Sequence, residues 1–197
     1  MNEVIRFARV DDSERILEIY SEYILHTAIT FEIEVPTEEA FKKRVENIMN
    51  VYPYLVYEVD NIVVGYAYAS KYRERAAFCY DVDLSIYFEE SSHGKGRAKL
   101  LYDCLMEILT KQGYYNTYVA YLDANISSAV FHKKLGFEKV GTFKNVGYKF
   151  DMWHDVTWAT KPLQSFEVKP KELISIQDID KDFLEKLIIE YNNKINL

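Results

Sequence analysis

The chain is poor in the residues that staple small folds together. Its 197 residues include two cysteines, Cys79 and Cys104, seven glycines and four prolines. Two thiols make neither a metal cluster nor a disulfide framework, so no metal is expected and a reducing cytoplasm is the default compartment. No apolar run approaches the ~20 residues that cross a bilayer. The opening Met1-Asn2-Glu3-Val4-Ile5-Arg6 has no basic stretch leading into an apolar one, so neither membrane nor export signal is expected. Positive charge is scarce as well: 24 Lys and Arg against 31 Asp and Glu leave a net charge of −7. That balance excludes the broad basic face of a general nucleic-acid binder. Repeats and low-complexity segments are absent.

Aromatics are in surplus, with 17 Tyr and 11 Phe. Part of that surplus is expected on a cleft or subunit interface, or else scattered over strand faces. The length fits one domain with a substantial core.

Apolar periodicity predicts the elements. Val4 to Val10 alternates as a strand, Asp11-Asp12-Ser13 offers caps, and Ile16 to Ile24 recur at helical spacing. Thr37 opens a second helix whose stripe is Phe41, Val45, Ile48 and Met49. Tyr54 to Val59 and Ile62 to Ala69 form a hairpin around Asp60-Asn61. Asp81 to Phe88 reads as a strand, Gly96 to Gly113 as a helix, Thr117 to Leu122 as a strand and Ala129 to Leu135 as a short helix. Strands over 138–146 and 149–160 follow. Residues 163–175 are irregular, and 180–195 form an amphipathic helix. This order makes an α/β sandwich, with helices on both faces of a mixed sheet.

One stretch carries a chemical suggestion of its own. His93-Gly94-Lys95-Gly96-Arg97-Ala98 lies between a strand and a helix, where the unpaired N–H groups and positive dipole end of a first turn hold anions. Small residues let the backbone approach a phosphate, Ala98 packs the helix on the sheet, and Lys95 and Arg97 add charge. The glycine spacing lacks the Lys-Ser/Thr pair of a P-loop and the third glycine of a dinucleotide fingerprint.

The loop resembles the acyl-coenzyme A loop, Arg/Gln-x-x-Gly-x-Gly/Ala, of the GNAT N-acetyltransferase family, with His93 replacing the usual first residue. Asn125 through His132-Lys133-Lys134-Leu135-Gly136-Phe137 is similar to that family's Asn-x6-Tyr-x-x-x-Gly-Phe signature. Within the family, Thr30-Phe31-Glu32, Asp83-Leu84-Ser85-Ile86-Tyr87 and the run from Gly147 to Val156 resemble the phosphinothricin N-acetyltransferase subgroup. The likeness covers 5–163, which implies a GNAT domain over 1–163 and an extension over 164–197 ending in the amphipathic helix. It further implies a mostly antiparallel sheet splayed into a V-shaped cleft, acetyl-coenzyme A as donor, and a homodimer.

Carried over residue by residue, the resemblance makes Asp83 the catalytic carboxylate, where the subgroup has glutamate. It places His132, a histidine that the subgroup often has there, at the position of a tyrosine that protonates the departing thiolate, where it either transfers a proton or orients the substrate. Ser85, Ile86, Tyr87, His93, Gly94, Lys95, Gly96, Arg97, Ala98, Asn125 and Ser128 become cofactor contacts. Phe31, Glu32, Arg73, Arg75 and Phe78 become acceptor contacts, Phe78 lacking the hydroxyl of a common tyrosine. An amine with a pKa near ~8 is mostly protonated at neutral pH, so transfer needs a proton acceptor beside it. A structural reading of Asp83 would pair it with Arg73 or Arg75. His26 and His154 are read as structural. The expected activity is acetyl transfer to the amine of a small amino-acid-like acceptor of the phosphinothricin or methionine sulfoximine type. A polyamine, antibiotic or peptide amine as acceptor, and a non-catalytic acyl-coenzyme A module, are the alternatives.

Overall fold

The computed structural model describes residues 2–167 and 169–195, so Met1, Val168, Asn196 and Leu197 lie outside the described residues. Seven strands form one sheet: β1 (Glu3–Phe7), β2 (Tyr54–Val59), β3 (Ile62–Lys71), β4 (Asp81–Phe88), β5 (Asn116–Leu122), β6 (Glu138–Lys149) and β7 (Met152–Pro162). Their spatial order is β1-β2-β3-β4-β5-β7-β6, and only the β4–β5 pair is parallel.

Helices α1 (Ser13–His26) and α2 (Glu38–Met49) cover one face. Ile16, Ile19, Tyr20, Ile24, Phe41 and Val45 pack there against Tyr54, Val56, Val63 and Tyr66. On the other face lie α3 (Arg97–Gln112) and α5 (Lys181–Ile195), with Leu101, Leu105, Ile108, Leu187 and Tyr191 sharing a core with Ile5, Leu55, Val82 and Leu84. Helix α4 (Ile126–Lys134) joins them through Leu135 and Phe137, which follow it.

Several local expectations are met. Thr37 accepts from Ala40 N to cap α2, and Asp60 and Asn61 take the positive φ of a two-residue hairpin turn. Gly96 and Gly113, both at positive φ, flank α3. Others shift. The first strand stops at Phe7, because Val10–Asp12 form a 3-10 turn. The Asp12 carboxylate does not cap α1; it takes Arg6 and the Arg9 N–H instead. The last hairpin is longer than its periodicity suggests: it turns at Phe150-Asp151, both at positive φ, with a register break between Phe143 and Gly147.

Part of the tyrosine surplus goes to the layer under α1. Tyr54 stacks on Tyr66 and Tyr68, and Tyr87 packs against Tyr20, Tyr23 and Tyr66. Four of these rings stand on faces of β2, β3 and β4, as the second expectation has it, and fill core space between sheet and helix.

Candidate active site

The parallel β4–β5 ladder holds three residue pairs, the last being Asp83 with Tyr118. Beyond it Leu84 to Phe88 pair only with β3, and Val119 to Leu122 only with β7. The sheet therefore splits at Asp83, and each strand keeps one edge of backbone N–H and C=O groups without a strand partner. Along β4, Val82, Leu84 and Phe88 are buried toward α3. Strand alternation turns Asp83, Ser85 and Tyr87 to the α1 face.

Asp83 sits at the apex of the split. One carboxylate oxygen, Oδ1, is buried without a hydrogen-bond partner, and the side chain forms no ion pair with Arg73 or Arg75. Burial raises its pKa to about 7, against the opposing pull of the nearby Arg73 guanidinium. Arg73 lies over the Tyr72 ring, and Tyr72 stacks on Tyr118 and meets Phe78 and Trp158 edge-on. Arg75 and Phe78 are exposed on the same loop.

His132, on α4, is on the opposite face, stacked on Tyr121 and surrounded by Tyr102, Phe131 and Phe137. Its Nδ1 donates to the Ser128 carbonyl at 2.9 Å, and its Nε2 is buried with no partner. Burial lowers its pKa to about 4, so at neutral pH Nε2 is a bare acceptor. The reading of His132 as a proton donor conflicts with this state, since an imidazolium there would be desolvated without a counter-ion.

At the start of α3, Gly94 and Gly96 have φ of +75° and +78°, with open space where a Cβ would stand. His93 Nε2 lies 3.1 Å from the Phe88 carbonyl and 3.2 Å from the Tyr23 hydroxyl, tying the loop to the end of β4 and to α1.

Residues 5–158 match the family described as acetyltransferase (GNAT) domain. The chain belongs to the GNAT acetyltransferase family. Among its relatives is a phosphinothricin N-acetyltransferase of Streptomyces coelicolor, 30% identical over 157 residues that cover 78% of this chain and 92% of the relative. An L-methionine sulfoximine/L-methionine sulfone acetyltransferase of Salmonella typhimurium is 32% identical, over 78% of this chain and 91% of its own. A GNAT superfamily phosphinothricin acetyltransferase of Sinorhizobium meliloti, solved in complex with AcCoA, superposes with a TM-score of 0.84 at 35% identity. The match covers 91% of this chain and 98% of that one. The protein is accordingly an N-acetyltransferase with acetyl-coenzyme A as its donor.

The residues present fit that donor. A glycine loop leads into the first turn of a 16-residue helix, and two buried polar atoms without partners, on Asp83 and His132, flank the split. Three expected contacts are otherwise engaged. Asn125 caps α4 by accepting from Ser128 N at 3.0 Å, which engages that N–H and one acceptor site of the Asn125 amide. Arg97 is buried and bonded to Glu3 and Ser92, so its charge is spent inside the protein. Glu32 is held by Arg44 and the Tyr20 hydroxyl.

The segment around Thr30, expected on the acceptor side, meets the one from Gly147 to Val156. Phe31 lies over Gly147, where an added Cβ would come within 2.5 Å of the ring, and its centroid is 6.1 Å from that of His154. The buried Lys149 ammonium donates to the Thr30 carbonyl at 2.9 Å. Lys149 is absent from the residues that the sequence nominates, although its Gly-Tyr-Lys motif is the most specific local likeness. His154 serves packing, through its bond to the Lys149 carbonyl, and His26 faces Glu22 on α1. Among the described residues, no group of His, Cys, Asp and Glu side chains is placed to hold a metal ion. Among the same residues no helix is long and apolar enough to cross a membrane.

Proposed function

We propose that this enzyme acetylates the amine of a small amino-acid-like acceptor of the phosphinothricin or methionine sulfoximine type, by direct transfer with Asp83 as the base. The observation that carries the reading is the Asp83 carboxylate at the apex of the split, its Oδ1 buried and unpaired and its pKa raised to about 7. A carboxylate in that range takes a proton from an ammonium near neutral pH far better than an ordinary aspartate. When bound, the donor supplies an activated acetyl thioester. Asp83 receives the acceptor's proton, and the free edge of Ser85, Ile86 and Tyr87 together with the loop from His93 to Ala98 holds the donor. Neutral His132 orients a hydrogen-bond donor through Nε2. Arg73, and Arg75 two residues on, bind the acceptor's anionic group, for which a guanidinium fork is suited. These cations disfavour a polyamine.

Thiol release from acetyl-coenzyme A in the presence of an amine panel tests the substrate claim; turnover confined to polyamines or peptides would refute it. Arg73→Ala is expected to raise the KM of the acceptor about tenfold with little change in that of acetyl-coenzyme A.

The 1–163 domain works as a cytoplasmic homodimer in this reading. Support comes from the β6–β7 hairpin at the sheet edge, where Phe143, Val146, Tyr148, Phe150, Met152 and Trp153 are each more than half exposed. A second copy covers them. Trp153→Glu is expected to convert the dimer to a monomer in sedimentation velocity; a wild-type monomer at micromolar concentration would rule the interface out.

A further inference from the structure

Arg97 follows Gly96 as the first residue of α3, yet its guanidinium does not point to solvent. It is 5% exposed. Its Nε donates to Glu3 Oε2 at 3.0 Å, a second nitrogen reaches Glu3 Oε1, and Nη1 bonds Ser92 Oγ at 3.2 Å. Glu3 also accepts from the Tyr57 hydroxyl at 2.6 Å, and Arg97 lies over that ring. One buried cation therefore grips both sides of the loop, Ser92 just before His93 and its own position just after Gly96, and fastens them to β1. Removing one member of such a pair leaves the other charge buried and uncompensated.

The strand that carries Glu3 is an edge strand, with only β2 beside it. Its open side is met by α5. Asn192 accepts from Ile5 N at 2.7 Å and donates to Ile5 O at 3.1 Å, so one side-chain amide does the work of a neighbouring strand. Ile5 and Glu3 are two positions apart and share a face. Helix α5 is in turn fixed on α3 by Tyr191, whose hydroxyl donates to Glu107 at 3.0 Å. This helix lies beyond the 5–158 span of the family match.

We infer that Glu3 is a positioning residue for coenzyme A, setting the pose of the phosphate loop through Arg97, and that the C-terminal helix braces Glu3's strand for that purpose. The inference rests on the reading of His93 to Ala98 as the coenzyme A cradle. Charge attraction from the loop then falls to the exposed Lys95, and Arg97 acts on the backbone, whose N–H groups do the binding.

Calorimetric Kd for coenzyme A, the KM of each substrate and melting curves are measured on full-length Glu3→Gln, Glu3→Asp, Asn192→Leu and Gly96→Val. Glu3→Gln is expected to weaken coenzyme A about tenfold and to leave the acceptor KM unchanged, with Glu3→Asp recovering part of the loss. Asn192→Leu, which keeps bulk and removes both strand bonds, is expected to weaken it about threefold. Unchanged affinity, or an equal rise in both KM values, overturns the inference. Tighter binding by Glu3→Gln also overturns it, because a freed Arg97 would then be a phosphate ligand. If Glu3→Gln does not fold, Asn192→Leu decides by the same measures. Gly96→Val puts a β-branched residue at positive φ and should abolish binding. Wild-type affinity there removes the cradle reading and the inference with it, whereas loss there without loss in Glu3→Gln removes the positioning role alone.

Discussion

Asp83→Asn is expected to lower kcat by roughly 10²–10⁴, the range that a positioned proton acceptor contributes, with the KM of acetyl-coenzyme A little altered. The amide keeps the shape and removes the charge. In the wild type, kcat/KM should rise with pH through about 7, as this carboxyl ionises. The variant should lose that limb. A variant that keeps both rate and limb would take the base role away from Asp83.

The same group sets a second, opposite signature in stability. The folded pKa of about 7 stands above the ordinary aspartate value of 3.8, so below pH 3.8 both states carry the proton and the site is neutral to folding. Between the two values the unfolded chain has lost its proton and the folded chain has not, and stability falls as pH rises. The slope is at most about 1.4 kcal/mol per pH unit, reduced here because the residue is only partly shielded from solvent. Asp83→Asn should therefore melt above the wild type at about pH 8 and match it at about pH 3.5, as circular dichroism would show. Catalytic loss and thermal gain from one substitution are the mark of a carboxyl kept for chemistry.

Gly147→Val is expected to cut kcat/KM for the acceptor by on the order of 10²-fold, since displacements of about 1 Å at a substrate wall have costs of that size. The clash is local. A Cβ at position 147 meets the Phe31 ring at 2.5 Å, and the ring must leave the strand. Its edge toward His154 is then lost as well. The KM of acetyl-coenzyme A should stay put, because Gly147 is on β6, across the sheet from the phosphate loop. A Phe31→Ala background, which removes the clashing ring, should make Gly147→Val nearly silent. If Gly147→Val costs the Phe31→Ala parent the same factor that it costs the wild type, the steric argument fails.

Much of this is legible from the residues alone. Alternation marks β2 to β4, Thr37 and the two glycines around α3 mark helix ends, and the glycine loop points to an anion site by its composition and its place between strand and helix. What stays hidden has a common cause, pairing across long sequence separations. Arg97 in a glycine-rich turn reads as a phosphate ligand until its partner Glu3, 94 residues away, is seen. The capping role of Asn125 depends on where α4 starts, which the weak periodicity of 126–134 does not fix. The protonation state of His132 depends on ring packing from α3 and β5 that no local pattern encodes.

The three-rung ladder between β4 and β5 has a mechanical meaning. It joins two plates, one of four strands and one of three, by a seam too short to hold them at a fixed angle without help from the layers around it. On the proposed reading the donor lies in the split and meets the open edges of both plates, so that binding it would supply part of the cohesion that the missing rungs withhold.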